Sequence, residues 1–253
     1  PIAPNTTYVV VLGAIGRAVP LQYRTRIFGI TTAAGSFGMF AVVPGTQGLI
    51  DLFDWQGALI ALTVLVSTMA VAGLALAGKP RVAEDAGLDQ SLGAAVKQAF
   101  GHSGYWLLNA GFFVCGFHVT FIAVHFQPYL LDQGIDARSA AIGLAMIGLF
   151  NIFGSFLFGE MGDRYRKKYL LSLLYFARAV VIGLFLILPL TPITAITFGA
   201  AIGFLWLATV PLTSGLVGQI FGTRYLSTLY GVVFLWHQVG SFLGAWLGGE
   251  AYE

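Results

Sequence analysis

The sequence predicts an all-α polytopic membrane protein, and composition, segment length and charge placement each point there. Of the 253 residues, 57% are hydrophobic and only 9% charged, with a mean hydropathy of +0.82. A water-soluble domain carries about 25% charged residues because its surface has to be solvated. This chain has too little polar surface for that. Apolar segments of the length an α-helix needs to cross about 30 Å of hydrocarbon recur along it. Basic residues gather in alternate connections between them, the asymmetry that sets orientation in a bilayer.

Taken in order, the first apolar stretch, 8–19, is shorter than a crossing and reads as the end of another span. Seven full spans follow, at 28–50, 55–78, 105–128, 139–160, 169–190, 193–220 and 227–249. Runs such as LLSLLYFARAVVIGLFLIL are apolar on all sides. Barrel strands alternate over about ten residues, so these spans are helices. No secretory signal pattern opens the chain, and it begins with Pro1 rather than Met, which leads us to expect a fragment.

Ten of the thirteen basic residues fall in alternate loops: Arg24 and Arg26; Lys79, Arg81 and Lys97; Arg164, Arg166, Lys167 and Lys168; then Arg224. The opposite loops hold only Arg138 beside the acids Asp51, Asp54, Asp132, Asp136, Glu250 and Glu253. One missed or invented helix would scramble this alternation, so it supports the span count as well as an orientation with the basic side cytoplasmic. The expected setting is the plasma (inner) membrane, with multiple passes through the bilayer.

The longest polar segment, 77–100, lies on the basic side and divides the chain into 1–78, a linker at 79–104, and 105–253. Its first half is charged. In its second half Leu92, Val96 and Phe100 recur at helical spacing, so it is either a short amphipathic helix at the interface or a tether. An internal echo matches this division. FGITTAAGSFG (28–38) and YGVVFLWHQVG (230–240) each follow a basic loop and place glycines nine apart, Gly29 with Gly38 and Gly231 with Gly240, as two tandem halves would.

Several classes of function are excluded. The basic residues form no aromatic-interleaved patch, so nucleic acid is not a partner. The single cysteine, Cys115, allows neither an intramolecular disulfide nor a multi-cysteine metal site. No Ser/His pair in a recognisable motif, paired aspartates or HExxH marks an intramembrane enzyme, and no cofactor is expected.

Charge is densest at GEMGDRYRKKYLL (159–171). Gly159, Asp163, Arg164, Lys167 and Lys168 there resemble the loop signature of the major facilitator superfamily, roughly G-x-x-x-D-R-x-G-[RK]-[RK], with Arg166 standing where the family has its last glycine. RAVPLQYRTRIFGITTAAGSFG and FGTRYLSTLYGVVFLWHQVGSFLG resemble the family's entries into its fifth and eleventh helices. The resemblance covers essentially the whole chain and implies helices four to eleven of twelve, with alternating access belonging to the parent protein. It also implies a latch: the carboxylate ending one helix bonds the arginine of the turn and the start of a neighbouring helix, holding the cytoplasmic face shut. The last 90 residues or so are similar to bacterial porters related to monocarboxylate transporters and oxalate:formate antiporters. That implies secondary active transport of a small organic solute, a monocarboxylate-like anion, by a monomer. A non-transporting scaffold or sensor, and a facilitator for an unrelated drug or metabolite, stay open as alternatives.

Polar residues at mid-membrane depth are costly, which makes them candidates for solute binding. His118, Asn151, Arg178, Trp206 and His237 lie near the midplanes of five different spans, with Gln238 beside the last. Histidine exchanges protons near neutral pH, so proton coupling needs no buried carboxylate, and no span contains one at mid-depth. A neutral histidine bonded to a neighbouring helix is the plainer reading of His118 and of His237. For Arg178 the competing partners are backbone carbonyls or a phosphate headgroup. Gly35, Gly38, Gly240, Gly244 and Gly248 suit close helix packing. Pro44, Pro128 and Pro211 could interrupt helices and free their carbonyls.

Overall fold

A computed structural model of the protein describes residues 3–75 and 91–251. The charged half of the linker, with Lys79 and Arg81, and the acid Glu253 lie outside the described residues. The all-α expectation holds, with no strand among the described residues. The helices are α1 (Ala3–Ala18), α2 (Arg24–Ala75), α3 (Leu92–Phe100), α4 (Ser103–Asp132), α5 (Ala137–Arg164), α6 (Lys167–Ile187), α7 (Pro192–Leu205), α8 (Thr209–Phe221) and α9 (Leu226–Glu250). Five segments among the described residues are long and apolar enough to cross a membrane: Gly48–Thr68, Ser103–Asp132, Ala137–Arg164, Lys167–Ile187 and Pro192–Phe221. The other two expected spans fall on the first part of α2 and on the 25-residue α9, which are helical but are not among those five.

One expected connection and one expected span each contain a break within helix. The acidic connection at 51–54 is a single non-helical residue in α2, Asp54, at φ 60° and ψ 175°. Aspartate is among the few side chains that visit positive φ. Around and beyond it the helix buries little: Leu52, Phe53, Trp55, Ile60 and Val64 are all more than half exposed, an apolar surface suited to lipid rather than water. The expected span 193–220 is likewise two helices, parted at 206–208.

Glycine sets the closest crossings. On α4 and α9, a methyl group on Gly116 would overlap the His237 carbonyl, and one on Gly240 the Phe113 carbonyl. On α2 and α5, a methyl on Gly159 would sit 2.6 Å from the Gly29 Cα. Backbones can approach this closely only where side chains are missing, which is how helices gain van der Waals contact without a hydrophobic driving force. The α4–α9 pair also brings Phe112, Leu229, Tyr230 and Val233 together with Leu12 of α1 and Phe28 of α2 in one core.

The linker's second half does form a helix, α3, capped by the Ser91 hydroxyl on the Ala94 N–H. It docks by its small face. Ala95 and Ala99 are buried while Leu92 and Phe100 are exposed, so the larger apolar pair points outward. Trp106 ties the helix to α4 by donating from Nε1 to the Phe100 carbonyl at 2.9 Å.

Candidate functional site

The break between α7 and α8 follows from one residue. Pro211 has no N–H to offer, and its ring collides with the carbonyl four residues earlier, that of Leu207. The chain compromises with three-residue bonds, Trp206 N–H to Gly203 at 3.0 Å and Val210 N–H to Leu207 at 2.9 Å. With Val210 turned to Leu207 and Trp206 to Gly203, the carbonyls of Leu205 and Trp206, whose regular donors are Thr209 and Val210, and the N–H of Leu207 are left without helical partners. At this depth each would cost several kcal/mol if unpaired.

Side chains from neighbouring helices take all three. Arg178 of α6 donates from Nε and one terminal nitrogen to Leu205 O, at 3.1 and 2.6 Å, and from that nitrogen again to Trp206 O. Its other terminal nitrogen donates to Cys115 Sγ of α4 at 3.2 Å. Asn151 of α5 accepts the Leu207 N–H on Oδ1 at 2.9 Å. The same oxygen accepts from Ser155 at 3.2 Å, and Nδ2 donates to Ser36 Oγ of α2 at 2.8 Å. The Thr209 hydroxyl, opening α8, lies 3.4 Å from Cys115 Sγ. Arg178 is 2% exposed, and no Asp or Glu lies in the sequence between Asp163 and Glu250.

Three of the six residues expected at the midplane, Asn151, Arg178 and Trp206, therefore meet at this break. Of the other three, His237 approaches the network at Cys115, whereas His118 and Gln238 make no direct bond to it. His118 lines a cavity of about 470 Å³ between α4, α6, α7 and the end of α9, walled by Phe117, Phe121, Phe126 and Phe185. Its Nδ1 is buried with no hydrogen-bond partner among the described residues. His237 of α9 is buried between the rings of Phe112 and Phe234, with Nδ1 3.4 Å from both the Ser241 hydroxyl and the Gln238 Oε1.

A second constellation sits at the basic end. The Asp163 carboxylate, near the end of α5, accepts the backbone N–H of Thr25 on Oδ1 at 3.0 Å and that of Arg26 on Oδ2 at 2.8 Å. These are among the unsatisfied donors of the first turn of α2, where the helix dipole also favours negative charge. Gly159, one turn back on α5, permits the approach because Gly29 faces it. Arg164 turns away from Asp163 and pairs with Glu160 at 2.6 Å, one helical turn earlier. Lys167 is half-buried with its Cε against Gly215 beside Thr25, whereas Lys168 is exposed over the Tyr169 ring.

The family model described as Major Facilitator Superfamily matches residues 2–245. The chain belongs to this superfamily. Among curated members it is 28% identical to Monocarboxylate transporter 12 of Xenopus laevis, across 88% of this chain and 54% of that protein. It is 26% identical to an uncharacterized MFS-type transporter, YcxA, of Bacillus subtilis (strain 168), across 96% of this chain and 64% of that protein. With Monocarboxylate transporter 13 of Bos taurus it shares 25% identity, across 89% of this chain and 53% of that protein. The chain thus spans about half the length of the monocarboxylate transporters it matches. As a superfamily member it is an integral, multi-pass membrane protein of a transporter family.

Sequence reasoning missed Cys115, Ser36, Ser155 and Thr209 as members of the polar network. The signal for the break was present. Gly199 and Gly203 are spaced for close packing on one helix face, and Pro211 follows within a long apolar run. The partners of that break are short polar side chains on other spans, and no periodicity links them.

Proposed function

We propose that the whole protein is a secondary active transporter that moves a small monocarboxylate-like anion by alternating access. The observation that carries this reading is the Asp163 clamp on the start of α2. It joins two helices far apart in sequence through hydrogen bonds to backbone, which can be released and remade without disturbing either helix. On this reading 1–78 and 105–253 belong to two bundles joined by the 79–104 linker. Gly159, Asp163, Arg164, Lys167 and Lys168 form the latch that closes the basic, cytoplasmic face.

An anionic solute suits the charge. Arg178 is a buried cation with no carboxylate at its depth on any span of this chain, and its positive field favours an anion nearby without direct contact. Two of the relatives carry the name monocarboxylate transporter. Arg178 and Asn151 shape the polar midplane together with Trp206, and His118, His237 and Gln238 retain hydrogen-bonding capacity for the solute. The two histidines suit proton coupling. The protein works as a monomer in the plasma (inner) membrane.

The test is uptake of labelled lactate, oxalate and a neutral sugar into proteoliposomes containing the full-length protein, with and without a pH gradient. Saturable uptake of an anion, stimulated by the gradient and not shared by the sugar, is expected. Sugar uptake without anion uptake would remove the anion reading and leave the superfamily membership intact. Uptake of none would remove the transport reading for these solutes.

A further inference from the structure

The guanidinium of Arg178 has five N–H groups, and four of them are engaged: two on Leu205 O, one on Trp206 O and one on Cys115 Sγ. The two carbonyls are ones the break leaves open, since their regular donors would be the Thr209 and Val210 N–H groups and Val210 bonds Leu207 instead, and Asn151 answers the Leu207 N–H on the opposite side of the same break. A neutral, shorter side chain would do for a single carbonyl. Reaching two successive carbonyls at once needs a planar fork of donors, which arginine has and lysine lacks.

We infer that Arg178 is a positioning residue that holds the α7–α8 break as a standing joint, and that it is not a ligand of the solute. The joint lets α8, with Thr209 at its head, change angle to α7 while the carbonyls of Leu205 and Trp206 stay bonded. Asn151 carries the connection onward, because its amide also donates to Ser36 of α2. Any movement of α2 against α5 therefore pulls on the oxygen-bearing group that holds Leu207. What the joint serves rests on the transport reading, whereas its existence is tested without it.

The experiment compares wild type, Arg178→Met and Arg178→Met with Pro211→Ala, with Arg178→Lys as the milder variant should the methionine protein fail to fold. Amide hydrogen exchange over residues 203–212 is read in detergent alongside thermal stability, and uptake kinetics with labelled lactate in proteoliposomes. Loss of the arginine is expected to speed exchange across the break roughly tenfold or more, since two buried carbonyls lose their donors, and to lower turnover with KM nearly unchanged. Restoring an N–H at position 211 lets the helix close on itself, so protection and stability return while turnover does not. Unchanged exchange with a raised KM would make Arg178 a solute ligand and overturn the inference. Return of turnover together with protection would reduce the arginine to a packing role and overturn the joint. If wild type takes up no lactate, the transport reading for that solute fails, and the exchange data still decide whether Arg178 holds the break.

Discussion

Asp163 and Thr25 stand 138 positions apart, yet the carboxylate of one accepts the backbone N–H of the other at 3.0 Å while its second oxygen accepts that of Arg26 at 2.8 Å. A carboxylate spanning the first turn of a helix satisfies two donors that have no partner inside the helix and meets the positive end of its dipole. Replacing Asp163 with alanine should destabilise the protein by about 1–2 kcal/mol, with Asp163→Asn losing less because its oxygen still accepts one bond. Thermal unfolding in detergent measures this. Equal losses from both substitutions would show that a neutral oxygen keeps none of the bonding, and an Asp163→Asn protein as stable as wild type would show that the charge contributes nothing.

The same junction depends on two glycines. A methyl group on Gly159 would lie 2.6 Å from the Gly29 Cα, so backbone must move to admit it. Gly159→Ala should cost about 1–3 kcal/mol and weaken the Asp163 bonds, as overpacking at a fixed crossing does. Gly148, on the same helix with open space around it, is the control, and Gly148→Ala should leave the melting temperature the same or higher. A Gly159→Ala protein as stable as wild type would contradict the packing described.

Asn151 makes three bonds from one amide, to Leu207 N–H, Ser155 and Ser36. Asn151→Leu fits the volume but leaves the Leu207 N–H buried and unpaired, a loss of about 1–3 kcal/mol. Asn151→Asp keeps the acceptor and tests whether the Ser36 bond matters separately. Unfolding midpoints and exchange at Leu207 report both.

Proton coupling in the proposed mechanism involves His118 and His237, because no carboxylate lies at mid-depth in the spans of this chain. Substituting both by glutamine should leave anion uptake indifferent to a pH gradient. Persistence of gradient stimulation in that double variant would remove the histidines from the coupling step.

Much of the fold was legible because the bilayer imposes so strong a rule. Every backbone group must be satisfied internally, so span length and loop charge suffice to place helices such as α4, α5, α6 and α9 within a few residues. A bond from the Asp163 carboxylate to the start of a neighbouring helix was also legible, since Gly159 and Asp163 are not needed merely to anchor a loop, but that the helix is α2 was not. Two other features were not. Arg164 was expected beside Asp163, but Glu160 lies one turn earlier on the same helix and offers a closer carboxylate. Arg178 was expected either at the solute or on backbone carbonyls, and which carbonyls it bonds, those of Leu205 and Trp206 at the break before Pro211, could not be read. The cost of the arginine at depth was readable from sequence; what it bonded was a matter of tertiary packing.

The central claim is that the Asp163 junction opens and closes as solute is moved. Tyr23 and Tyr165 flank it and are 50% and 62% exposed, and Cys115, the single cysteine of this sequence, is buried, so spin labels can be placed at Tyr23→Cys and Tyr165→Cys once any cysteine elsewhere in the full-length protein is replaced by serine. Pulsed electron paramagnetic resonance distances are then taken on the full-length protein in lipid, without solute and with saturating lactate at two pH values. The account predicts a short-distance population that loses weight to a longer one as solute and pH change. A single unchanging short distance under every condition in which the same protein carries out uptake would contradict it.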